Sequence, residues 1–368
     1  MSIKLIPGVG PSHSPLCFVG EAPGKDEMAY GQPFIGEAGQ ELNRILKDSG
    51  LKPLYQFNRE TRKQEWNHYA TNVFKSRPTE DSNDVNLFFT GRTDPAASLQ
   101  YPPRNRKYLR SEFLPMVDQL VPELVGVGAR VVVALGGTAL WALLGHSKIS
   151  DFVGTIHAPA QNRPFWVIPT YHPAAVLRQW NFRSVMVANL GKVPATLKQA
   201  GASSRSVANG NQPLFQITTN PSLDQVRAFS KKAVLAPAMA VDIETAHGQI
   251  RTISFSLGPK QAFVIPFWEP PQPSYWPTAE GECEALACVR RALSGPGTKI
   301  FQNGQYDIQY LWRVYGIPIS GPIFDTMLAH HSLEPELKKS LGFLAATYLN
   351  IPEWKTMRVK SEKDGEDE

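Results

Sequence analysis

Cysteine is scarce in this chain and long apolar runs are missing, and both absences narrow what it can be. Its 368 residues include three cysteines, Cys17, Cys283 and Cys288. Three thiols cannot build a disulfide framework or a four-thiolate metal centre. Cys283 and Cys288 stand five apart on a predicted helix, where packing is commoner than ligation. A reducing, cytoplasmic setting fits this usage. No stretch approaches the roughly 18 consecutive apolar residues that a helical membrane span needs, so no membrane partner is expected. The start, Met1 to Leu5 followed by Pro7 and Gly8, lacks the apolar core of a signal peptide. No internal repeat is visible. Neither charge sign dominates, and the net +5 is unevenly spread. Residues 1–200 hold 22 Lys/Arg against 16 Asp/Glu, residues 201–355 hold 13 against 12, and residues 356–368 hold 3 against 5. A basic first half suits a polyanion-binding surface, although many solvated faces carry as much charge.

What is present divides the chain in two. Residues 1–200 read as one domain and 201–213, small and polar without apolar periodicity, as a linker. Residues 214–355 read as a second domain, and 356–368 as a charged, disordered tail. The first domain has four short apolar runs suited to buried strands: Leu16–Val19, Tyr69–Val73, Val131–Leu135 and Phe165–Ile168. Helical patterns follow at Gly36–Ser49, Thr138–Leu144 and Ala174–Trp180. Strands alternating with helices predict a mostly parallel α/β sheet covered on both faces. From Ser76 to about Arg110 runs a polar stretch with Pro and Arg, too long for a simple connection. In the second domain, Ala238–Ile243, Arg251–Ser256, Gln261–Phe267 and Lys299–Phe301 predict strands, the middle two as a hairpin. Asp307–Tyr315 and Lys339–Tyr348 predict helices.

In an open α/β sheet, ligands bind beyond the carboxyl ends of the strands. Past the first strand lies Gly20-Glu21-Ala22-Pro23-Gly24-Lys25-Asp26-Glu27. Asn72 ends the second, Gly136-Gly137-Thr138 follows the third, and Thr170-Tyr171-His172-Pro173 follows the fourth. A carboxylate, an amide, a glycine turn and an imidazole would therefore meet on one edge. Each has a bland reading: a solvated Glu21, a capping Asn72, a packed His172, a core Phe34. Four bland readings at four strand ends are less economical than one site.

These residues carry a resemblance. Gly20-Glu21-Ala22-Pro23-Gly24 with Gly31-x-Pro33-Phe34-Ile35-Gly36-x-Ala38-Gly39 resembles the first motif of the family-four uracil-DNA glycosylases. Thr71–Pro78, Val131–Gly145 and Tyr171–Arg178 are similar to the later blocks, in order, over roughly 190 residues. The resemblance implies a monofunctional glycosylase acting on uracil-containing DNA. Glu21 would activate water and favour the cationic sugar, and His172 would donate to O2 of the departing base. Phe34 would stack on flipped uracil, Asn72 would read its edge, and Glu27 would crowd the thymine methyl. Gly24, Lys25, Gly136 and Gly137 would approach phosphates; Val176 or Leu177 would wedge into the stack, with Arg178 on a phosphate. The family typically holds an iron–sulfur cluster on four cysteines. Here Ser76 occupies one of those positions and no early Cys-x-x-Cys pair exists, so no cluster is expected.

In the second domain Asp242 and Glu244, at i and i+2 on a strand, point to one face, and Asp307 follows another strand. Such oxygen donors suit two-metal phosphodiester hydrolysis, with Mg²⁺ as the expected ion. VDIET, FQNGQYDIQYL and FDTMLAHHSLEPELKKSLGFLAATYL resemble the proofreading 3′–5′ exonuclease domain of family-A DNA polymerases, a ribonuclease-H-like (DnaQ-type) fold. The resemblance makes Asp242, Glu244 and Asp307 metal ligands and leaves Asp325 out. The family's third motif, Tyr-x-x-x-Asp, is absent, so the exonuclease is expected to be incomplete. A downstream or separate polymerase chain is the implied partner, as in phage replication polymerases with a bacterial or virus-infected host. Two other readings stay open: a non-cutting recruitment module for uracil-DNA, and a nuclease completed in trans.

Overall fold

The computed structural model describes residues 4–58, 63–79, 82, 84–202, 215–269, 272 and 274–349. The expected tail 356–368 lies outside them, as does the expected linker except for 201 and 202, which close a helix starting at Val193. The chain divides into two compact units, Met1–Ala208 with Gly342–Glu368, and Asn209–Leu341. Among the described residues no helix is long and apolar enough to cross a membrane.

The first unit is built on four parallel strands, β1 (Leu16–Gly20), β2 (Tyr69–Asn72), β3 (Val131–Leu135) and β4 (Trp166–Thr170), ordered β2-β1-β3-β4. Every residue of β1 and β3 is buried, the mark of strands covered on both faces. The helices that position the site are α1 (Lys25–Tyr30), α2 (Glu37–Asp48), α3 (Gly137–Leu144), α4 (Pro173–Val176) and α5 (Phe182–Leu190). As the spacing predicts, Leu42, Ile45 and Leu46 form the buried face of α2, and Gly50 follows with φ 75°. The helix expected over Ala174–Trp180 stops at Val176. Leu177 to Trp180 are all exposed and offer the core no face, so tertiary packing gives no reason to extend the helix.

The second unit is a six-stranded mixed sheet: β5 (Gln216–Thr218), β6 (Ala238–Ala246), β7 (Gln249–Gly258), β8 (Gln261–Pro266), β9 (Thr298–Phe301) and β10 (Ile323–Asp325). Its order is β10-β9-β6-β7-β8-β5, with β6, β7 and β8 antiparallel and the outer pairs parallel. The helices are α6 (Leu223–Ala233), α7 (Ala279–Leu293), α8 (Gly304–Tyr315) and α9 (Thr326–Leu333). Val241, Ile243, Ile253, Phe255 and Ile265 of the sheet form one core with Val226, Val289, Leu293 and Leu311 of the helices. The expected helix Lys339–Tyr348 is instead one α-turn, Leu341–Leu344, running into a π-turn, Ala345–Leu349. From Gly342 onward that segment groups with the first unit, where Lys192 Nζ donates to Ala346 O at 2.6 Å.

Candidate active site

The carboxyl edge of the first sheet is where the predicted residues meet. Gly20 and Asn72 are register partners at the ends of β1 and β2. A Cβ on Gly20 would lie 2.3 Å from Asn72 Oδ1 and 2.6 Å from Phe34 Cζ. A bare Cα at Gly20 is therefore what lets a buried amide and a buried ring share one spot. Lys75 fixes the strand end that carries the amide: its Nζ donates to Asn72 O (2.9 Å), Thr71 Oγ1 (2.5 Å) and Glu123 Oε2 (2.6 Å).

Phe34 reaches this place through a left-handed backbone, φ 56°, which disfavours a side chain and needs outside support. Glu27 supplies it. One carboxylate oxygen accepts from Phe34 N (2.5 Å), the other from Gly24 N (2.8 Å). Burial, ahead of any charge nearby, pushes the Glu27 carboxyl above its ordinary range. Glu27 thus holds the loop, and the Gly24 N–H is engaged inside the protein. On the far side, the Phe34 carbonyl fills the space where Gly39 would carry a side chain.

Glu21 follows β1 directly. Thr138 Oγ1, in the first turn of α3, donates to Glu21 Oε2 at 2.5 Å. Gly136 (φ 90°) precedes that helix, and a Cβ there would come within 3.2 Å of His172 Cβ. Gly137 uses its small size against Ser147 O, 2.9 Å from where a Cβ would stand. His172 caps α4: Nδ1 accepts from Ala174 N at 3.2 Å. That bond leaves the ring proton on Nε2. Burial lowers the His172 pKa; the Glu21 carboxylate opposes that shift and Arg178 adds to it. The imidazole is therefore a neutral N–H donor. Its ring lies 6.2 Å from that of Phe34, nearly parallel at 28°.

Glu21, Phe34, Asn72 and His172 thus face one edge, with Glu27 one layer behind. Lys25, Leu177 and Arg178 are exposed on its rim, while Val176 is core. Two residues that sequence reasoning missed, Thr138 and Lys75, hold Glu21 and the Asn72 strand end. Both stood inside quoted motifs, but their partners are set by tertiary structure.

In the second unit Asp242 and Glu244 are exposed on one face of β6, on either side of the buried Ile243. Asp307, in the first turn of α8, is buried and turned inward: its Oδ1 accepts from Ile243 N, between the other two, at 2.9 Å. Burial first, then Asp325 and Glu244, raises its carboxyl above the usual range. Asp325 accepts from Asn303, Gly304, Met327 and Leu328 N–H groups and so serves as a cap. Among the described residues no group of three or more His, Cys, Asp or Glu is gathered closely enough to hold a metal ion.

Residues 7–190 match the model of the uracil DNA glycosylase superfamily. The chain belongs to that superfamily. It is similar to the type-4 uracil-DNA glycosylase of Archaeoglobus fulgidus, 31% identical over 194 residues covering 51% of this chain and 79% of the relative. It also resembles that of Thermotoga maritima, 28% identical over 205 residues, 54% and 85% of the two chains. Residues 217–364 match a 3′–5′ exonuclease family model. Escherichia coli RNase D is a structural neighbour with TM-score 0.30 and 18% identity, covering 39% of this chain and 36% of RNase D.

The glycosylase unit does not fit the iron–sulfur cluster that the type-4 resemblance implies. Cys17 is the one cysteine among its described residues. Its thiol is buried, donates to Ser14 O at 3.3 Å and is pushed up to about 12, mainly by burial. A cluster needs several thiolates. Ser76 is buried with its hydroxyl unpartnered. Two residues before it, Phe74 stacks on Phe88 with centroids 3.7 Å apart, and Phe113 meets both edge-on. Packed aromatic rings fill this region of the core.

Proposed function

We propose that the first unit hydrolyses the N-glycosidic bond of uracil flipped out of DNA, without an iron–sulfur cluster. The observation that carries this is the meeting of Asn72, Phe34, Glu21 and His172 beyond the strand ends, with Gly20 bare at its centre. The base must leave the stack because its glycosidic bond is unreachable inside a duplex. Phe34 offers the extruded ring a flat face. The Asn72 amide accepts from uracil N3–H and donates to O4; cytosine presents the reverse pattern and is refused. Thr138 holds one oxygen of Glu21, leaving the other for the attacking water and the cationic sugar. The neutral His172 Nε2–H meets the charge that grows on O2 as uracil departs. No lysine Schiff base is needed, and the product is an abasic site.

Lys25 and Arg178 suit phosphates at the rim and Leu177, 45% exposed, suits the vacated stack. The second unit carries Asp242, Glu244 and Asp307, and the sequence has no Tyr-x-x-x-Asp pattern to supply the family's further carboxylate, so we expect little cleavage from this chain alone, with Mg²⁺ or without it. A polymerase chain, downstream or separate, is the partner this layout implies.

The test is base release from single-stranded oligonucleotides carrying one labelled uracil, cytosine or thymine. Uracil alone should be released. Asn72→Ala and His172→Ala should each lower the rate by about 10²–10³-fold, the usual cost of one transition-state donor. Binding to uracil-DNA with no release would leave only the recruitment module.

A further inference from the structure

The stretch between Ser76 and Arg110 is longer than a connection between sheet strands needs, and the uracil site described above uses none of it. Its tip is a tight hairpin. Arg104 N donates to Lys107 O at 2.8 Å and Lys107 N to Arg104 O at 3.0 Å. The two residues between, Asn105 (φ 50°) and Arg106 (φ 65°), both lie in the left-handed region. Positive φ at both positions marks a type I′ turn, for which Asn followed by Gly is the preferred pair. Asn105 suits its position; an arginine at 106 serves something other than the turn. Arg104, Arg106 and Lys107 place three cations in four residues. Among the described residues none of them is in an ion pair.

Arg104 is braced against the site. Its guanidinium lies over the Phe89 ring, 5.3 Å from the centroid, and Nη1 donates to Asn86 Oδ1 at 3.2 Å. Phe89 meets Trp141 edge-on, with centroids 5.0 Å apart, and Trp141 Nε1 donates to Pro102 O at 2.8 Å. Trp141 stands on α3 three residues after Thr138, the residue that holds Glu21. One helix therefore fixes both the site's carboxylate and the arm that carries Arg104. Burial lowers the Arg104 pKa, and the carboxylates of Glu21 and Asp84 oppose that shift. The Arg104 Nε–H is buried without a hydrogen-bond partner. A buried donor left unpaired is costly unless a ligand supplies the acceptor. A planar guanidinium in that position matches a phosphate.

We infer that the Arg104–Lys107 hairpin is a phosphate-gripping arm of the glycosylase site. Arg104 takes a phosphate next to the flipped nucleotide, and Arg106 and Lys107 take phosphates further along the same strand. The inference rests on the uracil-DNA reading above. It adds a sequence-independent grip to a pocket that otherwise reads only the base.

The test uses the full chain and oligonucleotides with a single uracil, either all-phosphodiester or with one neutral methylphosphonate near it. Arg104→Gln should weaken binding about tenfold at moderate salt and flatten the log–log salt dependence by about 0.7 to 0.9. The methylphosphonate that harms the parent most should add no further loss to Arg104→Gln. Arg106→Gly should raise the melting temperature, because glycine suits the turn, yet should also flatten the salt slope; a merely structural arginine would not do both. Additive losses at every phosphate, or salt slopes unchanged in both variants, would overturn the arm. If the parent binds the oligonucleotide with no release of uracil, the glycosylase reading falls, and the binding slopes still decide the arm.

Discussion

The two units treat their carboxylates differently. In the first, Glu21 is held by a neutral hydroxyl, Thr138, beside a neutral imidazole, and the site is built without bringing anions together. In the second, Asp242 and Glu244 stand exposed on one strand face while Asp307 turns inward onto a backbone N–H. Like charges packed together must either share a proton or take a cation between them. A site closed by neutral donors is finished when the chain folds; a site made of carboxylates is finished only when a cation arrives. The contrast separates a site whose groups are already held in the folded chain from one whose carboxylates stand apart.

The comparison breaks most readily at the support behind Asn72. Lys75→Met would leave Glu123 without its cation in a mostly buried position. The expected loss is about 3 kcal/mol of stability, the lower end for one removed partner of a buried pair. It should appear as a lower urea midpoint, accompanied by weaker uracil release. An unchanged midpoint would mean the strand end needs no such brace. A smaller effect sharpens the role of the neutral hydroxyl. Thr138→Val keeps the shape and removes the bond to Glu21, so release should slow about tenfold, with stability lowered by about 1 kcal/mol. A rate equal to the parent's would make the contact incidental.

The smallest effects are in pH. Burial keeps His172 neutral below the ordinary histidine range. Release should therefore stay level as pH falls through 6.5 and decline only below it; a midpoint above 6.5 would require a charged imidazole. His157, also in the first unit, is pushed down to about 4, mainly by burial, then by Arg163 and His146. Its folded pKa lies below its unfolded one, so its contribution to stability is full above pH 6.5 and fades as pH falls toward 4. Urea midpoints at pH 7 and pH 5 measure this, and His157→Gln should reduce the difference between them.

Much of this site was legible because strand ends can be read from local pattern. Val131–Leu135 is a strand with the bounds its five apolar residues predict, and Glu21, Asn72, Gly136 and His172 fall just where their strands stop. Less legible was anything decided by a distant partner. Thr138 and Glu21 are 117 residues apart, and Lys75 and Glu123 are 48 apart. No periodicity encodes such pairs. Glu27, expected against the thymine methyl, has both oxygens on backbone N–H groups, because a left-handed Phe34 must be held. The turn at Asn105–Arg106 carried a readable asparagine, hidden in a stretch that looked merely polar. A capping signal went unread as well: Ser222 and Gln225 bond reciprocally at the start of α6.

The most direct measurement is single-turnover uracil release in excess EDTA by the full chain, compared with Glu21→Gln and Asp307→Asn. Release by the parent should proceed undiminished in the chelator. Glu21→Gln should lower it by about 10²–10⁴-fold, the span of a general acid–base group, and Asp307→Asn should leave it intact. Loss of release in EDTA, or equal loss in both variants, would contradict the claim that the first unit performs the chemistry with its own neutral-braced carboxylate.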